Sequence, residues 1–173
     1  MNTPVLETER LILRPLSIED ADAVFVWMGD PRVNEYMVYT LHKDSSVTKK
    51  WLSSIDNSSD DAYCFGFVRR IDSALIGSGG IYYHPDTGIW HFGYNIRYED
   101  WHKGYATEAA KRMIHFACQQ LHARDFEAEH ADANPASGRV MEKCGLRFSH
   151  YGEYAKSDGT AVFKSRYYTM HID

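Results

Sequence analysis

The run Trp101-His102-Lys103-Gly104-Tyr105-Ala106-Thr107-Glu108-Ala109 holds the residue types best suited to chemistry in this chain. It lies between the end of an alternating strand pattern and the start of the most regular helical pattern. A helix N-terminus presents unpaired N–H groups and a partial positive charge, so a tight loop entering one can cradle a pyrophosphate. Gly104 lets the backbone approach a ligand closely, Ala106 is too small to block it, and Lys103 adds a charge. The same residues would also suit an ordinary strand-to-helix turn. A second glycine run, Gly77-Ser78-Gly79-Gly80, lies inside a predicted strand and lacks the spacing of a dinucleotide loop. The nine histidines form neither HxxxH nor HExxH, and His84 and His91 stand seven apart across a turn, so no metal is expected.

These residues must be positioned by predictable elements. Residues 5–14 read as a first strand, with Leu11, Ile12 and Leu13 as its apolar run. Ser17, with Asp20 three residues on, opens a helix along Ala21, Val24, Phe25 and Met28, ended by Gly29-Asp30-Pro31. Residues 30–45 lack a clean period and read as a loop or short helix; a second helix follows over 46–55. Turn signals at Asp72-Ser73 and Pro85-Asp86-Thr87-Gly88 separate strands at 62–70, 74–83 and 89–98. In the third, Trp90, Phe92, Tyr94 and Ile96 share the face expected in the core, and Ile89, His91, Gly93 and Asn95 the other. Ala106, Ala109, Ala110, Met113, Ile114, Ala117 and Leu121 mark a helix over 104–122, whose alanines permit close approach to a sheet. A strand near 125–131 precedes Asn134-Pro135, a capping residue with proline at the first helical position, and that helix stops at Gly145. Strands near 146–153 and 161–170 complete a mixed α/β order.

At 173 residues, 44% hydrophobic and 25% charged, one globular domain over 1–173 is expected. The net charge of −5 argues against nucleic acid or an anionic membrane as partner, and permits a cationic or amine-bearing one. The N-terminus has no signal-peptide pattern, and no apolar stretch reaches the roughly 18 residues of a membrane span. Cys64, Cys118 and Cys144 are far apart and odd in number, as in a reduced, cytoplasmic protein.

Three segments together resemble the GCN5-related N-acetyltransferases (GNAT), in the branch that acetylates ribosomal-protein N-termini. They are Leu6-Glu7-Thr8-Glu9-Arg10-Leu11-Ile12-Leu13-Arg14-Pro15, Tyr94-Asn95-Ile96 through Trp101 to Ala109, and Asn134-Pro135-Ala136-Ser137-Gly138-Arg139 through Gly145-Leu146. The resemblance implies a twisted, mostly antiparallel mixed sheet of about seven strands flanked by about four helices. A splayed strand pair would form the acetyl-CoA cleft. It further implies that backbone groups near Ile96, Arg97 and Tyr98 pair with the pantetheine arm, and that N–H groups from His102, Lys103, Gly104, Tyr105, Ala106 and Thr107 hold the pyrophosphate. Asn134 would reach the pantetheine arm and Ser137 would lie near the thioester sulfur; either residue also fits a plain helix start. Arg139 and Lys143 could meet nucleotide phosphates or be solvated helix charges.

The chain departs from the family pattern in places. His102 stands where the family loop usually has glycine, which narrows the allowed backbone while adding a possible phosphate donor. His91 stands where this branch often has a carboxylate, and Met141 where other branches place a tyrosine acid.

The implied reaction is direct attack of a primary amine on the thioester in a ternary complex. Only the neutral amine attacks; an alkyl amine of pKa about 10.4 is roughly 0.04% neutral at pH 7 and an α-amine near 7.8 roughly 14%. Holding both reactants in register can supply several kcal/mol. His91 is the candidate base, directly or through water, or else a structural strand histidine. Ser137 is the candidate donor to the departing thiolate, with the Ile96 N–H polarising the carbonyl. Tyr36, Tyr39, His42, Glu127, Glu129 and Asp132 could shape the acceptor pocket, or be ordinary loop and strand residues. The acceptor could be a protein N-terminus or a small amine, and the protein a monomer or homodimer. The alternative function is a non-catalytic CoA-binding sensor on the same fold, prompted by His91 and His102.

Overall fold

The first apolar run forms two strands, not one. In the computed structural model, which describes residues 1–173, β1 (Leu6–Glu7) and β2 (Leu11–Arg14) pair antiparallel, with Leu6 opposite Leu13. Thr8 closes the hairpin: its N–H donates to the Leu11 carbonyl and its Oγ1 accepts from the Leu11 N–H, both at 2.9 Å. This split makes the sheet eight-stranded, against the expected seven or so. Helices also exceed the expected four: there are five α-helices and two 3₁₀ turns. The extra α-helix, α2 (Pro31–Asn34), follows α1 (Ala21–Met28) because Asp30 accepts from the Arg32 N–H and Pro31 pre-sets the first turn. Ser17 starts a 3₁₀ turn (Ile18–Asp20) that runs into α1, with the Asp20 carboxylate accepting from the Ser17 N–H at 2.9 Å. Asp44 caps α3 (Ser45–Ser53).

Three antiparallel strands follow in hairpins, β3 (Ala62–Arg69), β4 (Ala74–His84) and β5 (Ile89–Ile96). The glycine run belongs to β4 and serves close packing: a Cβ on Gly79 would sit 2.6 Å from both the Gly93 carbonyl oxygen and the Phe67 ring. Then come α4 (Tyr105–Gln120), β6 (Asp125–Ala131), α5 (Pro135–Lys143), β7 (Arg147–Ala155) and β8 (Val162–His171). The sheet order is β1-β2-β3-β4-β5-β6-β8-β7, antiparallel except for β5 beside β6. That one parallel pair is required by the α4 crossover between its strands.

The core follows the sequence periods. Ala109, Ala110, Met113 and Ala117 of α4 are fully buried against β4 and β5, where Trp90, Phe92 and Ile96 face them. The opposite side of β4 is covered by α1, with α3 packed on α1, around Trp27, Val24 and Leu52. No helix is long and apolar enough to cross a membrane, and all three cysteines are free.

Candidate active site

β5 and β6 pair only at Trp90–Phe126 and His91–Glu127. Beyond His91 no residues are paired between them, and a gap opens toward the C-terminal ends of both strands. Each strand leads from that gap into a helix, α4 after β5 and α5 after β6, so two helix starts flank it. Between them lies a cleft of about 380 Å³, within the range of small-ligand sites.

The first wall is the loop into α4. His102 and Gly104 both adopt left-handed backbone, with φ of 61° and 83°. For His102 this conformation costs about 1 kcal/mol or more, and it is the one a glycine would take freely. The first intrahelical bond is from the Glu108 N–H to the Gly104 carbonyl at 3.1 Å, and no side chain caps the helix. The N–H groups of Tyr105, Ala106 and Thr107 therefore lack helical partners, and all three residues line the cleft with His102 and Gly104.

The second wall is the start of α5. Asn134 occupies the cap position but its side chain makes no capping bond, so the amide is uncommitted; Asn134 and Ser137 both line the cleft. Tyr94 crosses from β5 to meet them. Its hydroxyl donates to the Ser137 carbonyl at 2.9 Å and lies 3.0 Å from Ser137 Oγ. Burial pushes the phenol well above its ordinary pKa, only partly opposed by the Ser137 bond. The strand alternation put Tyr94 on the core face; it could not register that the ring is long enough to bring its hydroxyl to α5.

The other predicted residues divide between the cleft and its surroundings. Ile96 lines the cleft, but its carbonyl already accepts from the Trp101 indole at 2.7 Å. The Arg97 N–H donates to Ile76 O at 2.9 Å, and neither Arg97 nor Tyr98 is part of the lining. Lys103 also turns away: its ammonium donates to Glu99 O at 2.7 Å and to Asp100 at 2.9 Å. Asp100, 2% exposed, gathers three cations, accepting also from Arg69 at 2.6 Å and Arg97 at 2.5 Å. Arg139 and Lys143 line the cleft and make no ion pair.

His91 lies outside the lining residues, on the sheet face away from α4. Its Nε2 is 3.3 Å from Glu127 Oε1, and its ring centre lies 4.2 Å from that of His84, the two planes tilted by 58°. Burial first, then the charge of His84, push the imidazole below its ordinary pKa, against an opposing pull from Glu129. Nearby, Glu129 Oε1 is buried without a hydrogen-bond partner, while Asp132 pairs with Arg166.

The far side of the cleft is closed by Arg32, Glu35, Tyr36 and Met37. The β7–β8 hairpin holds this segment. Lys156 donates to the Asn34 carbonyl at 2.7 Å, to Asn34 Oδ1 at 3.0 Å and to Met37 O at 3.0 Å. Tyr154 donates to Tyr36 O at 2.6 Å, and the Ser157 N–H to Val38 O at 2.7 Å. Tyr39 bonds Asn95 at 3.3 Å, and His42 is buried against Thr48.

A mixed sheet that parts between two parallel strands, with a helix N-terminus on each side of the gap, can take an extended anionic ligand. The chain matches the acetyltransferase (GNAT) domain model over residues 10–147 and belongs to that family. It is 29% identical over 163 residues to the uncharacterized N-acetyltransferase p20 of Bacillus licheniformis, covering 91% of this chain and 90% of that one. Two solved structures share its fold. One is RimL, the ribosomal L7/L12 α-N-protein acetyltransferase in complex with coenzyme A, at TM-score 0.85 and 13% identity over 98% of this chain and 99% of that one. The other is the microcin C7 self-immunity acetyltransferase MccE in complex with acetyl-CoA and AMP, at TM-score 0.82 and 14% identity over 95% and 94%. The chain is thus an N-acetyltransferase of the GNAT family.

Proposed function

We propose that this chain, as one domain over 1–173, transfers acetyl from acetyl-CoA to a primary amine by direct attack in a ternary complex. The observation that carries the reading is the convergence of two walls on one gap: free N–H groups at the start of α4, and Asn134, Ser137 and Tyr94 at the start of α5. Acetyl-CoA supplies an activated thioester. The α4 loop, from His102 to Thr107, holds its phosphates with backbone N–H groups, which explains how a chain of net charge −5 can take an anionic donor. Arg139 and Lys143, unpaired at the cleft, add charge for the nucleotide phosphates. Asn134 offers its uncommitted amide to the pantetheine arm. Ser137, backed by Tyr94, donates to the departing thiolate.

The amine enters from the face of β5 and β6 that carries His91, Glu127 and Glu129. His91 takes its proton through water. Because burial keeps the imidazole pKa low, the ring is neutral at pH 7 and able to accept. We expect kcat/KM to fall on acidification below the ordinary histidine range, and His91→Ala to lower it about 100-fold. A pH–rate profile whose acidic limb survives unchanged in His91→Ala removes His91 as the base.

The RimL and MccE structures motivate the acceptor classes to compare: a protein N-terminal α-amine and a small-molecule amine. His102 already adopts the left-handed conformation for which the family uses glycine, so its side chain does not close the loop, and the sensor alternative has no observation of its own. The test is a panel of N-terminal peptides and small amines with acetyl-CoA, read by thiol release. Release that depends on the added amine is expected; tight CoA binding with no turnover on any amine overturns the proposal.

A further inference from the structure

We infer that Arg10 is a positioning residue for the donor's phosphates, acting by fixing one peptide plane of the α4 loop. Its guanidinium NH1 donates to the Lys103 carbonyl at 2.9 Å. In a planar trans peptide the carbonyl and the following N–H point in opposite directions. With the Lys103 carbonyl held outward on Arg10, the Gly104 N–H is turned the other way. Gly104 lines the cleft and Lys103 does not, so that N–H faces the ligand.

The plane needs such a hold. Gly104 has φ 83°, and glycine takes positive and negative φ about equally well. The 103–104 peptide could therefore flip with little resistance, putting a carbonyl where the phosphate needs a donor. Arg10 prevents this from a rigid mount. Its backbone N–H and Nε donate to Glu108 at 2.9 and 2.7 Å, and its NH2 lies 2.6 Å from the same carboxylate. Thr8 Oγ1 donates to Glu108 as well, at 2.6 Å. The guanidinium also lies 4.5 Å from the centre of the Tyr105 ring. Glu108, a carboxylate in the first turn beside a phosphate site, would repel an anionic ligand; Arg10 neutralises it and draws it to the outer side. The β1–β2 hairpin thus belongs to the donor-binding apparatus.

This inference rests on the acetyl-CoA reading of the cleft, and its test separates the two. CoA affinity is measured by calorimetry for the wild type, Arg10→Gln and Arg10→Lys, with Arg112→Gln as control. Arg112 donates to Glu7 O along the same helix–hairpin seam but does not touch the loop. Arg10→Gln should weaken CoA about tenfold, the worth of one hydrogen bond to a charged group. Arg10→Lys should not rescue it, because an ammonium cannot span Glu108 and the Lys103 carbonyl together. Arg112→Gln should bind as the wild type does. In turnover, Arg10→Gln should lower kcat/KM for acetyl-CoA about tenfold while leaving that for S-acetylpantetheine, which lacks the pyrophosphate, within twofold. Equal losses on both donors, no loss on either, or full rescue by lysine overturns the positioning role. A wild type that binds no CoA overturns the cleft reading and this inference with it. A wild type that binds CoA but turns over no amine overturns only the reaction, and the calorimetry still decides Arg10.

Discussion

Ser137→Ala should lower kcat about 100-fold while the KM for acetyl-CoA stays near the wild-type value, and Tyr94→Phe should lower kcat to a similar level. The expectation follows from the pair at the start of α5. Tyr94 Oη lies 3.0 Å from Ser137 Oγ and donates to the Ser137 carbonyl at 2.9 Å. Burial pushes the phenol well above its ordinary pKa, so Tyr94 is a donor at neutral pH. Ser137 lines the cleft, and the tyrosine hydroxyl beside its Oγ fixes where that side chain sits. Two groups that act as one unit give non-additive losses. The double variant should therefore fall no further than the worse single one. Steady-state kinetics on the four proteins decides it: multiplying losses, or an unchanged kcat in Ser137→Ala, defeats the assignment.

Asp100→Ala should remove about 3 kcal/mol of stability, at the lower end of the range for breaking a buried ion pair. The lower end applies because Lys103 is half exposed and Arg69 retains Asp72 at 2.6 Å. For a chain of this length that corresponds to a fall in Tm of about 6–12 °C. The loss also has a pH signature. Burial alone would raise the Asp100 pKa, but hydrogen bonds from Lys103 and Arg97, with the charges of Arg97 and Arg69, outweigh it and hold it below the ordinary value. A lowered native pKa contributes stability above the unfolded value, about 3.9, and loses it as pH falls through the native one. The gap between wild type and Asp100→Ala should thus be full at pH 7 and narrow only in acid below about pH 4. Denaturant melts at neutral and acidic pH test this; a difference that is flat with pH rules out the charge hub as its origin.

The sequence was most informative where a local pattern decides the outcome. Alanines at helical spacing mark α4 within a residue or two at each end, and Asn134-Pro135 marks the start of α5. Turn residues place β3, β4 and β5, and period two puts Trp90, Phe92 and Ile96 in the core. Much of what escaped depends on distant partners. The break in the first strand is a turn in which Thr8 bonds Leu11, and Thr8 also ties that turn to Glu108, 100 residues away. The loop lysine looked like a phosphate ligand by its place in the motif, yet its ammonium is drawn to Asp100, where Arg69 and Arg97 also converge. His91 was read without a visible partner because Glu127 comes from the neighbouring strand. The contacts to Glu108, Arg69 and Glu127 have no signature within a short window of sequence, whereas Lys103 and Arg97 each stand three residues from Asp100, within reach of a local reading.

The clasp between Lys156 and the segment at Asn34 joins residues 122 positions apart. On a ribosome the chain emerges in order. The residues that close the far wall of the cleft, Tyr36 and Met37, are made early, but the lysine and tyrosine that hold them arrive with the final hairpin. Until that hairpin is made, the wall at Tyr36 and Met37 lacks the bonds that fasten it from Tyr154 and Lys156.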